Sequence, residues 1–205
     1  MSKIVIQGLG GRSPGAVTDD IIRVEQAAWR ENMQANTAHI NERLQIFSAG
    51  LWQLIEKDKI AAFAYFIRLD EDFIISSPSW FKLTSNGTGA THKKDGNALF
   101  GVTLGSLKAG AGKYLLRRVF QKVDHNVYKG VKKVYACSRI PTLHKHFNPP
   151  EKVNITANDP IIVKDPGVRF FLDLKFKPIM LVPGCYHVDE ESLGYAVIIC
   201  REVGR

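Results

Sequence analysis

Cysteine is scarce in this chain: Cys137, Cys185 and Cys200 are the whole supply among 205 residues. Their odd number, wide separation and lack of a Cys-x-x-Cys spacing argue against a disulfide framework or a zinc site, and fit a reducing compartment. Long apolar runs are missing too. None approaches the ~20 residues that span a bilayer, and the run Ile4 to Ile6 is too short for a secretory leader. Internal repeats and low-complexity tracts are absent. The expectation is a cytoplasmic protein with no membrane partner, built as one domain over residues 1–205.

What is there begins with charge. The net charge of +8 asks for an anionic partner or none. Lys108, Lys113, Arg117, Arg118 and Lys122 gather around a glycine-rich corner in "LGSLKAGAGKYLLRRVF", Leu104 to Phe120. Nucleic acid and a polyphosphate-bearing cofactor both answer to such a cluster, while for any single lysine a solvated helix face is the plainer reading. An aromatic platform or recognition-helix pattern is lacking, so nucleic acid is not expected.

Small residues between an apolar run and a helix let backbone N–H groups point at an anion. A mononucleotide P-loop needs glycine five positions before Gly-Lys-Ser/Thr. Leu107 and Tyr114 stand at the places that matter, which excludes it. A dinucleotide turn lacks its third glycine, with Leu115 there instead. "IVIQGLGGRSPG" has Ser13 at the third position, and Pro14-Gly15 predicts a turn before any helix. A coenzyme A pyrophosphate loop is the third reading.

The hydrophobic pattern predicts a strand at "KIVIQ", then a helix capped by Thr18 with Ile21, Val24, Ala28 and Trp29 on one face. A second helix starts at Thr37, with Ile40, Leu44 and Phe47 inward and Gly50 at its end. Two strands flank a Lys57-Asp58-Lys59 turn, and Asp70 to Gly96 reads as irregular. The strand Ala98 to Leu107 feeds the glycine corner. Its helix buries Leu115, Leu116, Val119, Phe120, Val123 and Val127. "KKVYACSRI" is a strand, followed by a Pro/Asn/His-rich segment and a short helix around Val168 to Leu174. Paired strands in "KPIMLVPG" and "GYAVIICREV" close the chain. The order implies mixed α/β architecture with helices on both faces of a central sheet.

At these residues the chain resembles the GNAT superfamily of N-acetyltransferases. "LKAGAGKYLL" is similar to the family's Arg/Gln-x-x-Gly-x-Gly/Ala motif, and "VRFFLDLKF" to its Ala-x-x-Phe-Tyr-x-x-x-Gly-Phe segment. "NGTGATHKKDGNALFGVTLG", "SRIPTLHKHF" and "VPGCYHVDEESLGYAVI" resemble segments of a bacterial subgroup. The resemblance implies a central mixed, mostly antiparallel sheet and acetyl-CoA as acyl donor. It implies that the strand Phe100 to Leu104 parts from its neighbour, Lys133 to Cys137, and pairs with the pantetheine arm through Val102 and Leu104. The amides of Lys108, Ala109, Gly110, Ala111, Gly112 and Lys113 would then hold the pyrophosphate, with Lys113 and Arg117 adding charge. The chain departs from the family pattern at Leu107, in the Arg/Gln position, and at Lys175, in the closing glycine position. Phe171 falls where many members carry a proton-donating tyrosine, so Phe170 and Phe171 are expected in the core.

Acid–base work then falls to other groups, among them His144, His146, Tyr135, Cys137, Tyr186 and His187. His144 is the first expectation and His146 the second, as both follow the strand that borders the acyl site in the family. A surface loop histidine is an equal reading for each. His-x-His has no third ligand beside it, so no metal is expected. Thr103 is placed to bond a thioester carbonyl. With His144 it keeps open the decarboxylation of malonyl thioesters that some GNAT-like domains perform. Asp189, Glu190 and Glu191 read as a solvated loop or a site for a cationic acceptor. The leading expectation is acetyl transfer to the amine of a small molecule or peptide. Transfer to a thiol, acyl-CoA decarboxylation and a non-catalytic acyl-CoA-binding module are the alternatives, and all are compatible with a homodimer.

Overall fold

The computed structural model describes residues 4–147 and 153–204. Lys3, at the head of the expected first strand, and residues 148–152 of the Pro/Asn/His-rich segment lie outside them. Strands β1 (Ile4–Gln7), β2 (Leu51–Glu56), β3 (Lys59–Leu69), β4 (Ala98–Ser106), β5 (Lys133–Ser138), β6 (Lys177–Val182) and β7 (Ala196–Glu202) form one sheet. Its spatial order is β1-β2-β3-β4-β5-β7-β6. β4 and β5 run parallel; the other neighbours are antiparallel. This is the expected mixed, mostly antiparallel sheet.

The alternation of β3 divides the core in two. Ala62, Ala64 and Phe66 point to the side covered by α5 (Ala111–Asp124), where Leu115, Val119 and Phe120 are buried. Phe63, Tyr65 and Ile67 point to the other side. There they meet Val17, Ile21 and Val24 of α1 (Pro14–Ala28) and Ile40 of α2 (Thr37–Phe47). Full burial of a side chain such as Ile21 or Leu115 stabilises by about 1.5–3 kcal/mol. The β2–β3 hairpin turns at Lys57 and Asp58, both with positive φ, as a tight two-residue hairpin requires.

Four expectations need correction. α1 starts a turn early: Ser13 caps it, accepting from the Ala16 N–H, and Pro14 occupies its first turn. Proline's fixed φ suits that position, so Pro14 opens the helix rather than delaying it. Thr18 instead donates to Asn41 Oδ1 at 2.8 Å, tying α1 to α2. Val127 lies past the end of α5 and is exposed. The segment read as irregular carries α3 (Glu71–Ser76) and α4 (Trp80–Thr84). The last short helix starts earlier than expected: after α6 (Pro160–Lys164), α7 spans Pro166–Leu172 with Asp165 as its cap.

Candidate active site

The sheet opens beside β4. Its pairing with β5 runs from Ala98 opposite Lys133 to Gly101 opposite Ala136, and stops. Beyond that point β4 continues along β3, and β5 continues along β7. On the β3 side Tyr65 faces Thr103 while Phe66 faces Gly101, so Val102 is an extra residue, a β-bulge. The Val102 carbonyl accepts from Trp80 Nε1 at 2.9 Å, which pins α4 against the bulge.

A cavity of about 520 Å³ fills the opening and runs from the glycine corner to Thr103. Phe170 and Phe171 are half-buried: they pack against the core on the α5 side, as expected, and also form part of this wall. At the corner, Gly110 has a φ of +78°, a backbone that favours glycine. The helical ladder of α5 begins with Tyr114 N–H, which donates to the cap carbonyl Gly110 O at 2.9 Å. The N–H groups of Gly112 and Lys113 therefore have no intrahelical acceptor. Ala111 N–H donates to Lys108 O at 3.2 Å. Val102, Leu104, Lys108, Gly110, Gly112 and Lys113 all line the cavity, whereas Ala109 and Ala111 do not. The two lysines are held by acids, Lys108 by Glu56 and Lys113 by Asp173, each at 2.5 Å.

An annex of about 170 Å³ adjoins this cavity. Trp29, Val102, Thr103 and Tyr186 line both, so they form the partition. Arg139 lies over the Trp29 ring, 5.9 Å from its centre. Glu25 of α1 and Arg43 of α2 both line the annex, at 2% and 3% exposure. Glu25 Oε1 accepts from the Ala35 N–H at 3.0 Å, and Arg43 Nε donates to Gly87 O at 2.6 Å. Three buried atoms are left over: Glu25 Oε2, Arg43 Nη1 and Trp29 Nε1 have no hydrogen-bond partner among the described residues. Burial pushes the Glu25 carboxyl above the usual carboxylate range, opposed by the Ala35 N–H, the Arg43 charge and the Thr103 hydroxyl. His39 lines the same annex, and burial followed by the Arg43 charge pulls its pKa down.

The histidines of the sequence reading lie elsewhere. His144 is exposed on a short 3₁₀ turn, with its N–H and Nδ1 both against Glu191 O at 3.1 Å. His146 is exposed too and lines a separate cavity beside Asp165. Thr103 lies at the partition, apart from both. Tyr135 donates to Glu71 Oε1 at 2.5 Å, Cys137 Sγ lies 3.4 Å from Cys185 Sγ, and the His187 ring packs on Phe81. Tyr186 donates to Cys137 O at 3.2 Å, and burial drives its phenol well above its ordinary pKa. Asp189 binds Arg139 through both oxygens at 2.6 Å, and Glu191 takes Arg139 and Arg30. Asp189 is buried and clamps a loop rather than being solvated, a correction for that residue; Glu191 is half-buried in its ion pairs, and Glu190 is exposed, as the solvated reading expected.

Sequence reasoning missed Glu25, Arg43 and Trp29, though a signal was there. Ile21, Glu25 and Trp29 share one helical face at i, i+4, i+8, and Arg43 falls on the face of Ile40, Leu44 and Phe47. A charge on an apolar face is the observation to follow.

Structural comparison matches this architecture to solved GNAT structures. The loading GNATL domain of CurA from Lyngbya majuscula is 20% identical, with a TM-score of 0.77 over 99% of this chain and 98% of that one. A GNAT-like decarboxylase, GphF, in complex with isobutyryl-CoA, is 19% identical, with a TM-score of 0.73 over 98% of this chain and 99% of that one. Ard1 from Thermoplasma volcanium is 11% identical, at 0.59 over 99% of each chain. No family model and no curated protein matches the sequence. The chain has the GNAT superfamily fold. Among the described residues no helix is long and apolar enough to cross a membrane.

Proposed function

We propose that this protein transfers an acyl group, most simply acetyl from acetyl-CoA, to an amine. The observation that carries the reading is the junction at Thr103, where an open strand edge and an anion-ready helix N-terminus lead to a buried carboxyl of raised pKa. The similarity to a structure holding isobutyryl-CoA supports an acyl-CoA in the cleft. In this reading the Gly112 and Lys113 amides meet the pyrophosphate, helped by the α5 dipole. The pantetheine lies along Val102 to Leu104, and the thioester reaches the bulge.

The acceptor nitrogen bonds to the thioester carbonyl carbon, and the carbon–sulfur bond breaks. Over the reaction an ammonium loses two protons. Glu25 takes the first, since burial raises its pKa and makes it a stronger base than an ordinary carboxylate. The second passes from nitrogen to the departing sulfur. Tyr186 stays protonated at the partition, held too far above its ordinary pKa to give a proton up. Acyl-CoA decarboxylation is the second reading, favoured by the similarity to a GNAT-like decarboxylase; Thr103 lines the cleft, but His144 does not, so it would have to run without that histidine.

The test is a calorimetric titration of the full chain with acetyl-CoA, beside an assay of thiol release with a panel of amines. Gly110→Asp should weaken acetyl-CoA binding without unfolding the chain. A folded parent protein that binds neither acetyl-CoA nor coenzyme A would remove the reading.

A further inference from the structure

Resting on that acyl-transfer reading, we propose that the annex is the acceptor subsite, built for a compact zwitterion: an amino acid with its carboxylate on Arg43 and its ammonium on Glu25.

Both ions sit in the annex wall, nearly all of each side chain buried, and neither satisfies the other's open atom. A buried charge with an unmet hydrogen-bonding atom costs several kcal/mol unless something completes it. The inventory of open atoms is specific. Glu25 Oε2 accepts and needs an N–H; Arg43 Nη1 and Trp29 Nε1 donate and need oxygens. One ammonium and one carboxylate answer all three. A simple amine answers only Glu25, and a dicarboxylate sets a second negative charge against it.

The Thr103 hydroxyl bears on the Glu25 carboxyl, and the other neighbours are engaged elsewhere. Tyr65 donates to the Arg43 backbone carbonyl, Tyr186 to Cys137 O, and His39 is occupied with the α2 cap. Size points the same way. The annex, about 170 Å³, is about a third of the larger cavity and suits a small ligand. Asn32 at the annex donates to Val188 O at 3.1 Å, and Arg30 pairs with Glu191 at 2.5 Å, so the 30–33 turn is strapped to the loop opposite. The strap narrows that side of the annex, which favours a small acceptor over a peptide chain. Held this way, the nitrogen lies on Glu25 beside Thr103, at the partition the thioester reaches from the other side. The bond made is carbon–nitrogen and the bond broken carbon–sulfur, with the protons as above.

The experiment titrates the full-length protein by calorimetry with glycine, alanine and β-alanine, beside ethylamine and propionate. At least one amino acid should bind about tenfold or more tightly than both controls. Glu25→Gln should lose about tenfold in that affinity while coenzyme A binding stays within about twofold. Arg43→Lys should retain more amino-acid affinity than Arg43→Met; if the Met variant does not fold, the Glu25→Gln titration decides alone. Amino acids that bind no better than the controls, to a protein that still binds acetyl-CoA, would overturn this proposal and leave acyl transfer standing. The reverse pattern would remove acyl transfer and keep the zwitterion site. Arg43-dependent release of carbon dioxide from malonyl-CoA would place the carboxylate on the donor and also overturn it.

Discussion

The two chambers that meet at Thr103 are made of different materials. The larger is walled by strand edges, helix-end amides and apolar side chains, with its lysines already held by Glu56 and Asp173. The annex also has apolar and aromatic walls, Trp80 and Phe81 among them, but sets into them two ions buried on different helices, each with an atom to spare. Backbone geometry recognises what is common to a whole class of donors, because an N–H group reads phosphate or amide whatever is attached. Side-chain ions recognise one arrangement of charge. Generality therefore belongs to the cleft and selectivity to the annex.

The sharpest way to break this division is Glu25→Gln. The amide keeps the shape and an oxygen for the Ala35 N–H, but cannot take a proton. Turnover should fall by about 10²–10⁴-fold, the usual worth of general base assistance. Acetyl-CoA affinity should be nearly unchanged, since Glu25 does not line the larger cavity. Equal losses in both would merge the two chambers into one.

Gly110→Asp attacks the other chamber. Asp tolerates a left-handed backbone better than most residues, and nothing lies within 4 Å of a Cβ at this position. The fold should survive, with a carboxylate beside the helix N-terminus. Loss of one or two charge-assisted bonds at about 1.5–3 kcal/mol each predicts a drop of about tenfold or more in acetyl-CoA affinity. Amino-acid binding in the annex should not move, and calorimetry reads both.

The same division decided what the sequence could reveal. The cleft was legible because it is a backbone device written in contiguous residues, and "LKAGAGK" carries most of it. Strand order and the parting of β4 from β5 followed from pattern and resemblance. The annex was not legible, since Glu25, Arg43 and Trp29 converge only when α1 packs across α2. Helix starts were misread for a local reason. Ser13-Pro14, Asp159-Pro160 and Asp165-Pro166 each pair a capping side chain with a proline in the first turn, a start signal rather than a break.

A thermodynamic prediction sharpens the account of Glu25 without any substrate. Its pKa is higher folded than unfolded, so the folded state holds the proton more firmly. Its contribution to stability is greatest at low pH and is lost as pH rises from about 4.5 through the raised folded value. Glu25→Gln has no such loss. In thermal unfolding, the Tm of the variant minus that of the parent should grow more positive from pH 4.5 upward. A difference that shrinks with pH would mean the carboxylate is better stabilised folded than unfolded, and would remove the reason for making it a base.

The smallest effect expected is also the one that separates sequence from structure. His144 and His146 were the first expectations for proton transfer because they follow β5. Both are exposed, neither lines the cleft or the annex, and His144 is engaged with the Glu191 carbonyl. A group must come within hydrogen-bond reach of the proton it moves, directly or through one water, and these rings are on the wrong side of the wall. His144→Ala with His146→Ala should therefore keep turnover within about threefold of the parent, far short of the ~10²-fold floor for a lost acid or base. Any residual effect should come from the Glu191 loop and appear in the amino-acid KM rather than in kcat, because that loop carries the Arg30 contact beside the annex. A loss of a hundredfold or more in kcat would return the chemistry to the histidines and make Glu25 a structural carboxyl.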